Sequence, residues 1–177
     1  MALEFREVIA KRRSVRSFKH QPVEESKLRQ IFEAANVAPS AGNLQAYRVH
    51  VVRDQAKRKA LSEAAYGQSF IAEAPVSLIF CADPERSSQK YGKRGSDLYC
   101  LQDATIAGVF AMLAAVDLGL ATVWVGDFDE TKVKQVLDVE SMRPVAIFSV
   151  GYAAEEPQPS PRRAIEEIFQ GDFPHTD

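Results

Sequence analysis

The chain has 177 residues, 46% of them hydrophobic, enough to close one compact core and too few for two, so one unit over 1–177 is expected. A formal net charge of −2 excludes a broad basic face of the kind nucleic-acid binding needs, because that binding neutralises many phosphates at once. No stretch reaches the roughly 18 consecutive apolar residues of a membrane span, and the first twenty residues carry charge throughout where a signal peptide has an apolar core; a cytoplasmic location is expected.

In chain order, Phe5, Val8 and Ile9 recur at helical spacing, predicting a helix over Leu3–Arg12 that gives way to extended chain. Pro22 opens a second helix with Leu28, Ile31, Phe32 and Ala35 on one face, ended by Pro39. "PSAGN" then reads as a loop, Tyr47–Arg53 as a strand, and Asp54 as the cap of a helix to about Ala65. Ala74–Ala82 is an apolar run suited to a strand covered on both faces. The polar residues Asp83–Ser96 read as a mobile surface connection. Asp97–Leu118, apolar on nearly all sides and stopped by Gly119, reads as a long buried helix in which Gly108 allows close packing. "LATVWVG" is a strand, "DETKVKQVLDV" a helix begun by Asp129, "RPVAIFSVGYA" a strand, and Arg163–Phe169 a short helical piece after a proline-rich stretch. Without regular βαβ alternation, these elements predict an α+β or mixed α/β three-layer domain.

Two arginine clusters break the apolar pattern, Arg12-Arg13-Ser14-Val15-Arg16 and Arg162-Arg163. Guanidinium forks match phosphate oxygens and a serine hydroxyl adds an uncharged donor; a solvated face is the plain alternative. The loop Pro39-Ser40-Ala41-Gly42-Asn43-Leu44-Gln45 offers two carboxamides that donate and accept at once, suiting a ring edge with carbonyl and imide groups, or forms an ordinary turn. Trp124-Val125-Gly126 ends a strand in a glycine, where a ligand can approach the backbone, or where the chain simply turns. GxGxxG, GxxxxGK[ST] and GxSxG are absent, which removes the usual sequence support for dinucleotide, P-loop and serine-hydrolase readings. Cys81 and Cys100 sit in apolar surroundings that suit buried reduced thiols. His20, His50 and His175 are too scattered for a zinc site.

Taken in order, "RRSVRSF", "APSAGNLQAYRV", the helix Leu98–Gly119, "ATVWVGDFDE" and "PSPRR" resemble the nitroreductase family of flavin mononucleotide enzymes. The resemblance implies an α+β three-layer sandwich with a mainly antiparallel mixed sheet, forming an intertwined homodimer with FMN at the subunit interface. By position, Arg12, Arg13, Ser14 and Arg16 would hold the flavin phosphate, ribityl chain and pyrimidine side, a cation near N1 stabilising the reduced ring. Pro39, Ser40, Ala41, Asn43 and Gln45 would come from the partner subunit. Gly126, after Val125, would present its N–H to flavin N5, and Arg162 and Arg163 would close over the phosphate.

The implied reaction passes hydride from NADH or NADPH through N5 to a nitroaromatic, quinone or similar acceptor by ping-pong kinetics, with no side chain assigned as catalytic. Reductive dehalogenation or dehydrogenation on the same fold, and a non-catalytic flavin-binding dimer, are the alternatives. Ala46-Tyr47 stands where many relatives have a proline and an aromatic residue, and the long pocket-shaping insertion of larger members is absent. Residues Tyr66–Gly95 are therefore expected to form much of the substrate wall.

Overall fold

In the computed structural model, which describes residues 4–169 and 171, helix α1 (Phe5–Lys11) starts where the Glu4 N–H donates to Glu7 Oε2 at 3.0 Å. Of its expected apolar face only Val8 is buried; Phe5 and Ile9 remain exposed. The chain then runs extended. Val15 N–H donates to the Thr122 carbonyl, Lys19 N–H to that of Tyr152, and Ala154 N–H to that of Ser17. Val15 and Phe18 turn into the core, while Arg12, Arg13, Ser14 and Arg16 stay at least partly accessible.

Helix α2 (Glu25–Asn36) starts three residues after Pro22 and buries Leu28, Ile31 and Ala35, as its 3.6-residue spacing demands. Strands β1 (Tyr47–Val52), β2 (Val76–Ala82), β3 (Ala121–Val125) and β4 (Arg143–Gly151) form one sheet in the order β1-β2-β4-β3. All three pairings are antiparallel, with an irregularity at Phe80/Cys81; the parallel contact is the bridge between Ser14 and Thr122. Every residue of β2 is buried, as expected for a central strand covered on both faces.

On one face of the sheet Ile79, Cys81, Val123, Val125 and Ile147 pack under helices α3 (Gln55–Ala64), α4 (Phe70–Glu73) and α7 (Glu130–Leu137). Asp54 and Asp129 cap α3 and α7 by accepting from Lys57 and Lys132 N–H groups at 2.8 and 3.1 Å. On the other face Leu78, Phe80, Phe148 and Val150 pack under α2 and the later helix α6 (Cys100–Asp117), which completes three layers. The inward stripe of α6 is made of small residues, Ala104, Ala107, Gly108, Ala111 and Ala115, so the helix lies close to the sheet. A Cβ on Gly108 would stand 3.0 Å from the Phe148 ring. The bulkier Val109 and Phe110 face outward.

The segment read as a polar connection is instead helix α5 (Pro84–Arg94), followed by a π-helical turn, Gly95–Tyr99, that leads into α6. Asp83 accepts from the Arg86 N–H at 2.9 Å and Pro84 occupies the first turn, so the local sequence carries a strong helix start that its polarity masked. Across Pro84–Asp117 one 18-residue window has a mean hydropathy of 1.5, enough to cross a membrane by length and composition. Gly92, with φ +55° and ψ −142°, kinks the polar part of that helix, and the apolar part, α6, is the core helix beside α2 and the sheet. The short helix α8 (Ile165–Ile168) follows the proline-rich stretch, with all four residues exposed.

Candidate functional site

Arg162 of the second arginine cluster, about 150 positions after Arg12, meets the first cluster. Arg12, Arg13, Ser14 and Arg16 line one side of a cleft of about 420 Å³, and Pro157–Ser160 with Arg162 line the other. The pairing of residues 14–19 with β3 and the chain after β4 produces this meeting, because it lays the first cluster alongside the exit of the last strand. Arg13 also donates from its guanidinium to the carbonyls of Ala10 and Arg12, at 2.6 and 2.8 Å, which ties it to the end of α1. Glu155 accepts from the Arg16 N–H at 2.5 Å, so an anion seeking that N–H must compete with a carboxylate. Arg163 is turned away, its guanidinium held by Glu167 through the carboxylate and the carbonyl, each at 3.0 Å. Fixed guanidinium charge with serine hydroxyls is the donor set that a phosphate monoester requires, so these residues fit the phosphate end of FMN.

The loop 39–45 lies elsewhere. Pro39, Ser40 and Ala41 line a separate hollow of about 540 Å³ with Tyr99, Leu101, Gln102 and residues further along α6. The loop is held by a residue the sequence reading missed. Asp103, 1% exposed on α6, accepts from the Ala41 N–H at 2.9 Å and from the Ala46 N–H at 3.2 Å, clamping both ends of the loop with one carboxylate. Ser40 Oγ accepts from the Gln45 N–H at 3.0 Å. The Gln45 side chain donates back to the Asn36 carbonyl at 3.0 Å, so within this protomer it closes the end of α2. Gly42, Asn43 and Gln45 all have positive φ, a tight turn that leaves Asn43 exposed. The signal for Asp103 was legible: unlike Asp117 at the helix end, it stands in the apolar body of the helix, where a carboxylate must be satisfied by something.

At the end of β3 the Val125 side chain is in the core, leaving only its backbone to face a ligand, and Gly126 is exposed. The turn beyond is fixed by Gln68 Nε2, which donates to the Asp127 carbonyl at 3.3 Å, and by the Asp129 N–H, which donates to that of Ala64 at 2.8 Å. One chain thus joins the phosphate-type residues around a cleft, sets Gly126 just past the strand whose Thr122 pairs with Ser14, and holds the carboxamide loop apart from both.

Cys81 and Cys100 are buried free thiols, and burial pushes Cys81 up to about 12. Among the described residues no group of three His, Cys, Asp or Glu side chains could hold a metal; His175 lies outside them.

Comparison with known proteins identifies the family. The model of the nitroreductase family matches residues 9–152. The chain is 34% identical to an NADH dehydrogenase of Thermus thermophilus, over 94% of this chain and 95% of that one. It is also 34% identical to an FMN reductase (NAD(P)H) of Bacillus subtilis, over 88% and 68% respectively. The solved structure of B. megaterium NfrA2 superposes with a TM-score of 0.89 at 30% identity, over 99% of this chain and 76% of that one. With its motifs in family order and its fold matched nearly end to end, the chain belongs to the nitroreductase family.

Proposed function

We infer that the protein is an FMN-dependent oxidoreductase that takes hydride from NAD(P)H and delivers it to a small acceptor such as a nitroaromatic or quinone, the two substrates using one site in turn. The observation that carries this reading is the convergence of Arg12, Arg13, Ser14, Arg16 and Arg162 on one cleft in a chain of net charge −2. Family membership supplies the cofactor class, and FMN, when bound, would exchange hydride at N5. The chain's own part is to hold and tune: Arg12 and Arg162 fix the phosphate, and Arg16 sets positive charge near the pyrimidine edge. Gly126 offers a backbone N–H with no side chain in the way.

The reading includes a homodimer. Because the loop 39–45 lines a hollow of its own, a complete site would draw that loop from a second copy, as the family resemblance implies. Exposed apolar residues, Phe5 and Ile9 on α1, Phe110 on α6, Ile165 and Ile168 on α8, offer such a copy an apolar surface. A cytoplasmic location goes with this reading.

An anaerobic absorption spectrum tests it. Visible flavin bands that bleach on adding NADH or NADPH are expected; a colourless protein that takes up no added FMN would refute it.

A further inference from the structure

Helix α5 carries Arg86, Lys90, Lys93 and Arg94 on a chain that is acidic overall. Its tips lie on the carboxamide loop. Arg86 Nε donates to the Leu44 carbonyl at 2.5 Å, and a Cβ on Gly42 would collide with the Tyr91 hydroxyl and stand 2.6 Å from Lys90 Nζ. Arg94 Nε donates to the Tyr99 hydroxyl at 2.9 Å, and Tyr99 lines the same hollow as Pro39–Ala41. Tyr91 and Tyr99 meet edge to face, with ring centroids 5.1 Å apart.

Among the described residues only Lys93 of these four cations is paired with a carboxylate, that of Asp97. Glu85 sits in the first turn of α5, by the positive end of the helix. Arg86 and Arg94 bond to neutral oxygens and Lys90 lies over the Tyr91 ring, so three cations stand at the rim of one loop without a carboxylate partner, while the Asp103 carboxylate in the same hollow is buried and engaged by the Ala41 and Ala46 N–H groups. Such a focused field acts on an anionic substrate more than on a neutral one. Of the substrates in the reading above, on which this inference rests, the nicotinamide donor always carries phosphate.

We propose that Arg86, Lys90 and Arg94 form a cationic collar that grips the phosphates of the nicotinamide donor and makes NADPH, with its extra 2′-phosphate, preferred over NADH. The collar is a specificity determinant set apart from the FMN phosphate cleft.

The test uses the purified full chain and a Lys90→Gln/Arg94→Gln double variant. Adenosine 2′,5′-bisphosphate, which has the phosphates but no hydride, is titrated into each by calorimetry. Wild type is expected to bind it, and the double variant to bind about tenfold or more weakly, the loss of one or two charge-assisted contacts. No binding to wild type, or equal binding by both proteins, overturns the proposal. Flavin content is read from the same samples and should be equal; a wild type without flavin sinks the oxidoreductase reading, while the titration still judges the collar. With flavin present, stopped-flow reduction should show the NADPH-to-NADH rate ratio falling in the variant. An unchanged ratio, with slower reoxidation by a sulfonated quinone, would assign the collar to the acceptor and overturn the proposal.

Discussion

Replacing Asp103 should release the carboxamide loop at both ends. Its carboxylate accepts from the Ala41 and Ala46 N–H groups at 2.9 and 3.2 Å, and both it and Ala46 are sealed from solvent. A hydrogen bond to a charged group contributes about 1.5–3 kcal/mol. Asp103→Ala removes two, but Ala41 is only half-buried and water can reach its N–H, so the net cost comes to about 2–4 kcal/mol. For a chain of this size that lowers Tm by about 4–16 °C. Asp103→Asn keeps one accepting oxygen and sets its NH2 against the other N–H, costing about 1–2 kcal/mol. Thermal unfolding at one protein concentration, with and without added FMN, separates two effects, since a ligand raises Tm by mass action. If the loop also contacts flavin, the stabilisation by FMN shrinks in Asp103→Asn beyond what the apoprotein's lower Tm accounts for. Asp103→Ala melting within about 1 °C of wild type would refute the clamp.

Arg12→Ala and Arg162→Ala should each weaken FMN retention by about ten- to a hundredfold, whereas Arg163→Ala, whose side chain Glu167 already holds, should change it little; equilibrium dialysis of flavin distinguishes them. Gly42→Ala meets both a φ of +56° and the tips of Tyr91 and Lys90, so it should cost about 1–2 kcal/mol in urea unfolding; an unchanged midpoint would show that loop and α5 are not in contact. The Cys81 thiol, pushed up to about 12 by burial, stays protonated in the folded state while the unfolded thiol ionises from about pH 9. The folded chain then binds the extra proton, so this group's contribution is whole below about pH 9 and is lost as pH rises towards about 12. Cys81→Ala should therefore flatten the fall in stability as pH rises from about 9 towards about 12, and an unaltered slope would contradict the assignment.

The local rules of the chain wrote much of this protein. Asp54 and Asp129 could be read as caps because a carboxylate before a helical pattern has one obvious use, satisfying free N–H groups. The strand Val76–Ala82 announced itself by an unbroken apolar run, and the order of arginine, carboxamide and glycine motifs was enough to name a family. Where local chemistry had two outcomes, tertiary structure chose. The residues Pro84–Arg94 look like a loop by polarity, but a capped start and the contacts of Arg86, Lys90 and Tyr91 with the loop 39–45 make them a helix.

Only the tertiary pairing of residues 14–19 with β3 and the chain after β4 could bring Arg162 to Arg12. The neighbouring Arg163 met Glu167 instead. Asp103 was visible as a letter, but its role depended on which N–H groups the fold would set against it. Periodicity and capping act over a few residues and are written in sequence; the meeting of distant charges is decided by packing, which no local pattern contains.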